Sequence, residues 1–452
     1  MIVMKFGGTS VGSAGAIRRV GEIVRGRLDQ KPVVVVSAVS GVTNRLIAAA
    51  EGAQKRKTVP ETPIKEITRI HRDILAELDL PPDLVDPSLQ RMSEVLRGIY
   101  FLRELTKRSM DYVMSFGELM SSHIVAAHFN KVGMSARPWA GWDVGFVTDS
   151  NYGEADVLPE SYPKIRQKLA AEVEAGSVPV VTGFVGRNKE RERTTLGRGG
   201  SDYSAAIVGK AIGALEIQIW TDVSGILSAD PKIVPEAFTL RQVTFEEASE
   251  LAYFGAKVLH PKTIEPAVVA SIPVRILNTF SPEDPGTLVV AQSDRPAERT
   301  VKGLAVKKGN TLVNVTSSRM LDAEGYMAEL FLCFRRHGVC VDSIATSEVS
   351  VSLTVDARYR EALDRALVEL GKVATIRVYP ERAIVCVVGE GMDFKPGVAG
   401  RIFSVMGAAG VNIDMISQGS SELNVTFVVE DKDADRALRA LHAEFLAPKA
   451  PA

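Results

Sequence analysis

Short runs of β-branched residues alternate with longer stretches of helical periodicity over roughly the first 290 residues of the chain. The runs predict strands at residues 1–6, 33–37, 178–184, 216–221 and 274–278. Several are apolar at every position, as is typical of strands covered on both faces. The periodic stretches predict helices at residues 14–28, 43–51, 63–78, 89–107, 116–132, 201–212 and 245–254. This alternation indicates an α/β domain with a mostly parallel central sheet.

A second region follows two segments rich in turn formers, residues 281–286 and 293–297, which predict a boundary near residue 295. Beyond it, one set of residues recurs with a shared offset of 72: Gly325, Ala328, Phe331, Gly338, Asp342 and Ile344 match Gly397, Gly400, Phe403, Gly410, Asp414 and Ile416. In each copy the first glycine is expected to open a helix and the second to end it. We interpret the repeat as two copies of one βαβ-type module, which favours a sensing unit over a second active site.

Composition narrows the class of protein. A chain of 452 residues with a formal net charge of −1 favours two or three globular domains and gives no general attraction to nucleic acid or to anionic membranes. We expect no signal peptide, because the start of the chain lacks a long apolar stretch. We expect no membrane span, because no segment approaches the roughly 20 apolar residues needed to cross a bilayer. Cys333, Cys340 and Cys386 have neither metal-ligand spacing nor the density of a disulfide framework. These features predict a reduced, cytoplasmic location.

The string KFGGTS at residues 5–10 stands where the first strand gives way to a helix. Gly7 and Gly8 would let backbone N–H groups approach an anion, and the helix N-terminus would add its dipole. Lys5 would bring a positive charge to a transferred phosphoryl group. A tight strand–helix turn with an exposed lysine fits the same string. The chain contains neither a P-loop string nor a dinucleotide-binding glycine string after a strand.

The string TTLGRGGSD at residues 194–202 places Arg198 between glycines, just before a helix whose expected N-cap is Ser201 or Asp202. A guanidinium held there can bind a carboxylate through two parallel hydrogen bonds. Asp202 would hold an ammonium group or a metal-bound water. A glycine-rich loop with a capping aspartate is the alternative.

Further polar groups follow other predicted elements. Thr221 and Asp222 come at the carboxyl end of a strand, where open α/β sheets bind ligands. Lys232 and Lys257 stand beside turn residues, as solvated surface lysines also do. Glu118 is expected near the start of a helix, where it would bind an ammonium group or only complement the helix dipole.

Together these segments favour phosphoryl transfer to a small zwitterion. A carboxylate acceptor is already ionised at neutral pH, since its reference pKa is about 4. The reaction therefore needs no general base, only alignment and positive charge to offset the repulsion between two anions. Lys5, Lys257, Mg²⁺ and backbone amides would supply that charge.

Several of these motif segments resemble those of a known enzyme family. Residues 5–10, 115–120, 195–202, 220–231 and 254–261 are similar to the motifs of aspartate kinases, a branch of the amino acid kinase family. The resemblance runs from residue 2 to about residue 445. It implies a three-layer kinase fold at residues 1–295, and transfer of the ATP γ-phosphate to L-aspartate to give 4-phospho-L-aspartate, the first step toward lysine, threonine and methionine.

The resemblance also implies residue roles. Lys5, Asp202 and Lys257 are the catalytic candidates. The expected aspartate site comprises Thr43, Glu118, Phe184, Arg198, Gly199, Ser201 and Asp202, with Arg198 on the α-carboxylate and Glu118 near the amine. The expected ATP site comprises Lys5, Gly7, Gly8, Thr221, Asp222, Leu227, Lys232, Lys257 and Val258. Mg²⁺ would be carried by the ATP phosphates, with no ligand coming directly from the protein. Leu227 and Lys232 depart from the family, which often has an aromatic residue and an arginine there, so nucleotide affinity is the property they would alter.

The repeat resembles a pair of ferredoxin-like βαββαβ ACT domains, the first inserted in the second. This implies one domain at residues 315–383 and another formed by residues 300–313 and 384–447. The effector pocket of lysine-inhibited members is similar to Met320, Gly325, Tyr326, Met327, Val341, Asp342, Ser347 and Glu348. Two acids suit the ammonium groups of lysine, whereas threonine would not need the second; solvated loop acids are the alternative. ACT pairing in this family implies a homodimer or a dimer of dimers.

Other readings stay open from sequence alone. Enzymes of the same fold that phosphorylate glutamate, a carbamate or a nucleoside monophosphate are the nearest rivals. A catalytically silent amino-acid sensor is a different class, and it would be expected to lack Lys5, Arg198 or Asp202. Because the chain ends soon after the repeat, we expect a monofunctional kinase with no fused homoserine dehydrogenase.

Overall fold

The computed structural model describes residues 1–57, 60–254, 259, 261–293, 299–317, 320, 324–392, 395–419 and 423–447. The chain divides into two compact units. The first comprises Met1–Ile226, Arg241–Phe245 and Val258–Gln292; the second comprises Leu227–Leu240, Glu246–Lys257 and Ser293–Ala452. Within the described residues, each helix is too short or too polar to cross a lipid bilayer.

The first unit is an α/β domain. Its strands are β1 (Ile2–Phe6), β2 (Pro32–Val36), β3 (Ala136–Trp139), β4 (Val147–Thr148), β5 (Val178–Thr182), β6 (Val185–Asn188), β7 (Arg193–Thr195), β8 (Ile217–Thr221), β9 (Gln242–Thr244), β10 (Val274–Asn278) and β11 (Thr287–Val290). Its helices are α1 (Ala14–Arg25), α2 (Val42–Gln54), α3 (Glu61–Glu77), α4 (Asp86–Leu102), α5 (Lys107–Lys131), α6 (Gly141–Val144), α7 (Ser161–Glu174), α8 (Gly200–Ile212) and α10 (Pro261–Val269). Helix α9 (Phe245–Phe254) begins at the boundary between the units.

A mainly parallel sheet forms the centre of this unit, with strand order β3-β5-β2-β1-β8-β10-β11-β9 in the described residues. The predicted strands are confirmed as β1, β2, β5, β8 and β10, which pair in parallel wherever they are neighbours. Every residue of β1, β2 and β5 is buried, which explains why these strands are almost entirely apolar. Strand β11 pairs antiparallel with β10. A separate sheet has the order β4-β6-β7.

Two helix predictions were wrong in their bounds. Helix α4 ends at Leu102, where Arg103 adopts a left-handed conformation, although the pattern continued to residue 107. Helix α5 then begins at Lys107, capped by Thr106, whose hydroxyl accepts from the Ser109 N–H at 3.1 Å. Glu118 therefore lies in the middle of α5, and the prediction that it stands near a helix start was wrong.

The second unit has an antiparallel sheet with the order β13-β14-β12-β15-β17-β16. Its strands are β12 (Gly303–Thr316), β13 (Ile344–Thr346), β14 (Ser350–Asp356), β15 (Thr375–Val388), β16 (Met415–Ser417) and β17 (Asn424–Glu430). Helices α11 (Tyr326–His337), α12 (Arg360–Leu370), α13 (Val398–Ala408) and α14 (Ala434–Phe445) complete it. Separate apolar clusters lie beside the β13–β14 half and the β16–β17 half.

The repeat appears in the structure as two equivalent halves. Gly325 and Gly397 are the left-handed N-caps of α11 and α13, with φ of 81° and 85°. Strand β12 is shared: its first part pairs with the end of β15, and residues 310–316 pair with β14. The predicted module boundary between residues 313 and 315 therefore falls inside a strand, and the first half begins at about Asn310. Strand β12 runs through both halves, and its register shifts between Lys307 and Asn310, where Gly309 has a φ of 74°.

Candidate active site

The carboxyl ends of β1, β2, β5 and β8 carry adjacent loops. The parallel hydrogen bonding continues past the strands, since the N–H groups of Gly7, Ser37 and Gly183 donate to carbonyls of neighbouring strands at 3.0, 3.1 and 2.9 Å. The loop after β1 is thus held beside the loops after β2 and β8. Side chains that follow several strands therefore lie at one edge of the sheet, where α/β domains bind ligands.

Lys5 lies at this edge and forms an ion pair. Its Nζ is 2.6 Å from Oδ1 of Asp202, in the first turn of α8. The two side chains are only 10% and 16% exposed, so water screens them weakly. The structure thus brings together the lysine of the first motif and the aspartate of the second.

The glycine loop after β1 sits tightly against the loop after β2. A Cβ at Gly8 would lie 3.1 Å from the carbonyl oxygen of Ala38, and one at Gly7 would lie 3.7 Å from Lys5 Nζ. Helix α1 follows, with Ser13 as its N-cap accepting from the Ala16 N–H at 3.2 Å. A glycine loop that leads into a helix N-terminus and borders a lysine can accommodate a phosphate group.

Glu118 is buried against the loop after β2. Its Oε1 accepts from the Ala38 N–H at 3.2 Å, whereas its Oε2 has no hydrogen-bond partner among the residues that the structure describes. The preceding residue is glycine because a Cβ at Gly117 would lie only 2.7 Å from the Cβ of Ala38. The small residue allows α5 to approach the loop closely enough for Glu118 to reach the Ala38 amide.

Burial raises the pKa of Glu118 to about 8, although hydrogen bonds from its own backbone N–H and that of Ala38 act in the opposite direction. An ionised carboxylate in this place needs a cation to stabilise it. Such a group suits the ammonium of an amino acid, which would supply both the charge and the missing hydrogen bond.

The arginine motif forms a compact loop before α8. Gly199, with φ of 73°, is the N-cap, so the predicted cap at Ser201 or Asp202 was wrong; both residues lie inside the helix. A Cβ at Gly200 would lie 2.6 Å from the ring of Phe184. Phe184 itself has a φ of 68°, unusual for a residue with a side chain, and its N–H donates to Ser204 Oγ at 2.9 Å. The loop therefore packs onto the segment after β5.

Arg198 is exposed and lines a cavity of about 170 Å³. The other polar lining residues are Glu154, Asp156, Tyr203, Lys262, Thr263 and Glu265. The guanidinium therefore faces a mixed-charge space large enough for a small carboxylate ligand. Sequence analysis missed Lys262 and the acidic residues, because they come from loops and from α10, which the periodicity did not reveal.

Asp111 was also missed, and it positions the arginine loop. It is buried in α5, and it accepts from the N–H groups of Gly153 and Thr195 at 3.0 and 2.9 Å and from the Thr195 hydroxyl at 2.8 Å. Burial raises its pKa, and these hydrogen bonds oppose that shift. Asp111 thus holds β7, which leads directly into the arginine loop. No local pattern marks it, because its partners are distant in the chain.

Arg193 lies among aromatic rings beside Asp111. Its Cζ is 4.2 Å from the ring centre of Tyr112 and 4.6 Å from that of Trp142, and its Nη1 donates to Ser115 Oγ at 3.0 Å. Burial lowers its pKa. The Tyr112 contact therefore joins β7 to α5, and the Trp142 contact joins β7 to α6.

The remaining predicted site residues have different positions. Thr43 is half-buried in the first turn of α2. Thr221, the last residue of β8, donates from its Oγ1 to Oδ1 of Asp222 at 3.1 Å. Leu227 and Lys232 belong to the second unit, where Leu227 bridges to Thr239 and the Lys232 N–H donates to Asp230. Lys257 and Val258 lie outside the described residues.

The predicted effector residues lie in the first half of the second unit. Met320, Met327 and Val341 pack on one apolar cluster. Ser347 and Glu348 are exposed in the turn between β13 and β14, whereas Tyr326 and Gly325 stand at the start of α11.

Asp342, the remaining effector candidate, already has partners within the chain. Its side chain is 2% exposed and accepts from Lys307 Nζ at 2.6 Å and from the Tyr253 hydroxyl at 2.7 Å. Its equivalent, Asp414, binds Arg382 at 2.6 Å. The alternative that Asp342 is a solvated loop acid is therefore wrong.

Comparison with known proteins agrees with this architecture. Residues 1–278 match the amino acid kinase family, and residues 385–445 match an ACT domain. The chain is 38% identical to aspartokinase 2, chloroplastic, of Arabidopsis thaliana, over 98% of this chain and 84% of that protein. It is 33% identical to the aspartokinase of Schizosaccharomyces pombe, over 99% and 93% of the two chains.

Solved structures of aspartokinases are also similar to this chain over nearly its whole length. Escherichia coli aspartokinase III in complex with lysine and aspartate superimposes with a TM-score of 0.82 at 33% identity, covering 99% of both chains. The same enzyme with aspartate and ADP also gives 0.82, at 32% identity over 98% and 99% of the chains. Because residues 1–278 match the amino acid kinase family and aspartokinases are 33–38% identical to this chain over nearly its whole length, the chain belongs to the aspartate kinases of the amino acid kinase family.

Proposed function

We propose that the protein transfers the γ-phosphoryl group of ATP to the side-chain carboxylate of L-aspartate, giving ADP and 4-phospho-L-aspartate. The observation that carries the proposal is the Lys5–Asp202 ion pair at the carboxyl edge of the sheet, between the glycine loop and the arginine loop. It supports a phosphate site and an amino-acid site that meet at Lys5.

Lys5 is the group proposed to act on the phosphoryl group. Its ammonium is held in place by Asp202 and is largely removed from water, so it needs little reorganisation when negative charge develops nearby. Gly7 and Gly8 leave space for phosphate oxygens beside it. Mg²⁺ bound to the ATP phosphates would supply further neutralising charge there.

Arg198 and Glu118 are proposed to recognise aspartate. The exposed guanidinium of Arg198 suits the α-carboxylate in a bidentate arrangement. Glu118, with an unsatisfied buried oxygen, suits the α-ammonium. The side-chain carboxylate would then attack phosphorus as the nucleophile. It arrives ionised, so no proton has to be removed, and the acyl phosphate forms as the bond to ADP breaks.

Regulation by lysine is proposed at the first half of the second unit. Support comes from the Asp342 carboxylate in that half and from the exposed Glu348. The similar E. coli aspartokinase III, whose structure was solved in complex with lysine, adds to it. Lysine inhibits only if it binds a low-activity arrangement better than an active one. Threonine is the alternative effector.

Self-association is a further proposal. Ile344 on the edge strand β13 and the adjacent Val349 expose 37% and 42% of their area, as expected of a strand that pairs with a second copy. A homodimer or a dimer of dimers is proposed on this basis. A cytoplasmic location and a role in supplying lysine, threonine and methionine stay predictions.

An acyl phosphate is trapped by hydroxylamine as a hydroxamate, which gives a direct test. Purified protein with ATP and Mg²⁺ is assayed with aspartate, with glutamate and without acceptor, each with and without lysine. We expect hydroxamate in the aspartate assay but not in the glutamate or acceptor-free assays, and less hydroxamate when lysine is added. Hydroxamate with glutamate but not aspartate would overturn the proposed substrate, and ATP left intact with both would overturn the reaction.

A further inference from the structure

A group of metal-ligand side chains lies between the two helices of the first half of the second unit. Cys333 and His337 are one turn apart on α11, so they point to the same face of the helix. Glu369 is on the neighbouring helix α12. One ligand atom from each residue lies within 4.8 Å of the other two. Neither the proposed reaction nor the lysine site uses these side chains.

We propose that Cys333, His337 and Glu369 bind a divalent metal ion of the Zn²⁺ class, in a tetrahedral site completed by water. A thiolate, an imidazole and a carboxylate are all ligands that Zn²⁺ accepts. In a tetrahedral zinc site, neighbouring sulfur, nitrogen and oxygen ligands are roughly 3.3–3.6 Å apart, given bond lengths of about 2.0–2.3 Å. Small side-chain movements bring these three atoms to that spacing.

The contacts already present favour ligation. His337 Nε2 lies 2.8 Å from Oε2 of Glu369, so an ion inserted between them would replace one shared proton. Arg336 binds the other carboxylate oxygen, Oε1. It can keep this contact when Oε2 turns to the metal, and so act as a hydrogen-bonding partner that orients the ligand.

The three side chains range from a buried thiol to a partly exposed carboxylate, an arrangement that leaves room for one water ligand on a bound ion. Cys333 is 2% exposed, and its sulfur faces the carbonyl of Ala366 at 3.8 Å; the side chains of His337 and Glu369 are 23% and 39% exposed. The ion would therefore enter from the solvent side. His337 is also the last residue of α11, where the helix dipole favours positive charge.

Ligation involves no change in oxidation state. The ion forms one bond each with sulfur, nitrogen and oxygen, and both the thiol proton of Cys333 and the proton shared by His337 and Glu369 pass to solvent as these bonds form. The bound ion would join α11 to α12 directly. Soft thiolate ligation disfavours Mg²⁺, so the Mg²⁺ that accompanies ATP would not compete for this site.

Cobalt tests the proposal, because Co²⁺ bound to a thiolate has a near-ultraviolet charge-transfer band. Full-length protein, treated with a chelator and then freed of it, is titrated with Co²⁺ and afterwards with Zn²⁺. We expect a band that saturates at one equivalent and disappears when Zn²⁺ is added, since Zn²⁺ binds such sites more tightly. Wild-type protein that gives no band would overturn the proposal.

Matched variants identify the ligands. Cys333→Ser should remove the band, and Glu369→Gln and His337→Gln should each weaken Co²⁺ affinity by at least about tenfold. Cys340→Ser is the control, because Cys340 is exposed and lies outside the cluster; it should leave the band unchanged. A band that survives in Cys333→Ser, or is lost in Cys340→Ser, would place the metal elsewhere and overturn the assignment.

Folding of the variants is checked separately. Zn²⁺ should raise the unfolding temperature of the wild-type protein, and chelator should reverse the rise, because the ion binds the folded state. Glu369→Gln changes a partly exposed side chain, so it should fold as the wild type does and lose this Zn²⁺ response. An equal Zn²⁺ response in Glu369→Gln would contradict the site.

Discussion

The Nζ of Lys5 lies 2.6 Å from Oδ1 of Asp202, although one residue belongs to the first strand and the other stands in the first turn of α8. The pair joins the glycine loop to the arginine loop. Asp202 stands four residues after Arg198 in the chain, so the ion pair ties Lys5 to the helix that directly follows the arginine loop. We therefore expect the stability of the protein to depend on the pairing of the two charges, and kcat to depend on the Lys5 ammonium itself.

Lys5→Met is predicted to lower kcat by about 10²–10³-fold, the usual cost of removing one preorganised charge from a transition state. The Asp202 carboxylate, 16% exposed, would lose its partner, so the unfolding temperature should also fall. The double variant Lys5→Met/Asp202→Asn should recover the unfolding temperature but not kcat. Lys5→Met with kcat within tenfold of the wild type would contradict the assigned role.

Arg198→Ala is predicted to raise the KM for aspartate by about 10–100-fold, equivalent to about 1.5–3 kcal/mol of charged hydrogen bonding, while the KM for ATP changes little. Arg198→Lys should recover only part of this loss, because an ammonium cannot form the planar bidentate contact. Arg166→Ala on α7, also an exposed arginine, is the control. Unchanged aspartate kinetics in Arg198→Ala would remove Arg198 from the site.

Glu118 makes aspartate binding depend on pH. Its pKa is raised to about 8 in the free protein, so it is mostly protonated at pH 7, whereas an ammonium ligand prefers the ionised form. The KM for aspartate should therefore fall as pH rises from about 6 to 8, by up to about tenfold per unit, and then level off. Glu118→Gln should raise KM and abolish this slope. A wild-type KM that stays constant over the range would contradict the assignment.

Glu118 also makes folding stability depend on pH: a rise in pH that favours aspartate binding lowers the stability of the folded protein. The folded-state pKa of Glu118 is above its unfolded value, so the folded protein holds a proton that the unfolded chain releases between about pH 4.5 and 8. Stability from this group is complete below that window and is lost as pH rises through it. Glu118→Gln should therefore raise the unfolding temperature relative to wild type at pH 8 and leave it nearly unchanged at pH 4.5. Equal differences at the two pH values would count against a buried, proton-binding Glu118.

The sequence predicted the strands better than the helix that carries Glu118. Strands β1, β2 and β5 are buried on both faces, and their apolar runs are visible without any tertiary information. The first half of α5 instead buries Asp111 and Ser115 against β7 and Arg193, so polar residues occupy positions that a periodicity analysis assigns to solvent. The helix start was therefore placed too late.

Site residues were predictable from the sequence where a charged residue stands beside the glycines that shape its own loop. Lys5 with Gly7 and Gly8, and Arg198 with Gly199, are such cases. Lys307 was not predictable as a partner of Asp342, because the two residues are 35 positions apart in the chain and meet only in the folded structure. The repeat did predict that Asp342 and Asp414 are equivalent, and each does bind a basic side chain.

Lys307→Met tests whether Asp342 serves an effector. Lysine would have to displace the internal ammonium at Asp342, so removing that ammonium should lower the lysine concentration needed for inhibition by roughly tenfold, about 1.4 kcal/mol. It should also lower the unfolding temperature, since the 2% exposed carboxylate keeps only Tyr253 as a partner. Kinase activity is measured against lysine concentration.

Arg382→Met is the matched control, because Arg382 binds Asp414 in the equivalent place of the other half. It should lower stability and leave lysine sensitivity unchanged. If both variants changed lysine sensitivity alike, the effect would come from weakened folding and not from competition at Asp342.

Gly117→Ala tests whether close packing of α5 positions Glu118. Alanine favours a helix interior over glycine by about 0.5–1 kcal/mol, so the change would stabilise an unobstructed position. Here the new methyl group would lie 2.7 Å from the Cβ of Ala38, and α5 or the loop after β2 has to move. Because Glu118 accepts from the Ala38 N–H, that movement disturbs the proposed ammonium site. We expect a lower unfolding temperature and a KM for aspartate raised about tenfold.

Gly98→Ala in α4 is the control, since no atom lies within 4 Å of its added methyl group. It should raise the unfolding temperature slightly and leave KM unchanged. If the two variants behaved alike, the contact between Gly117 and Ala38 would have no role in placing Glu118.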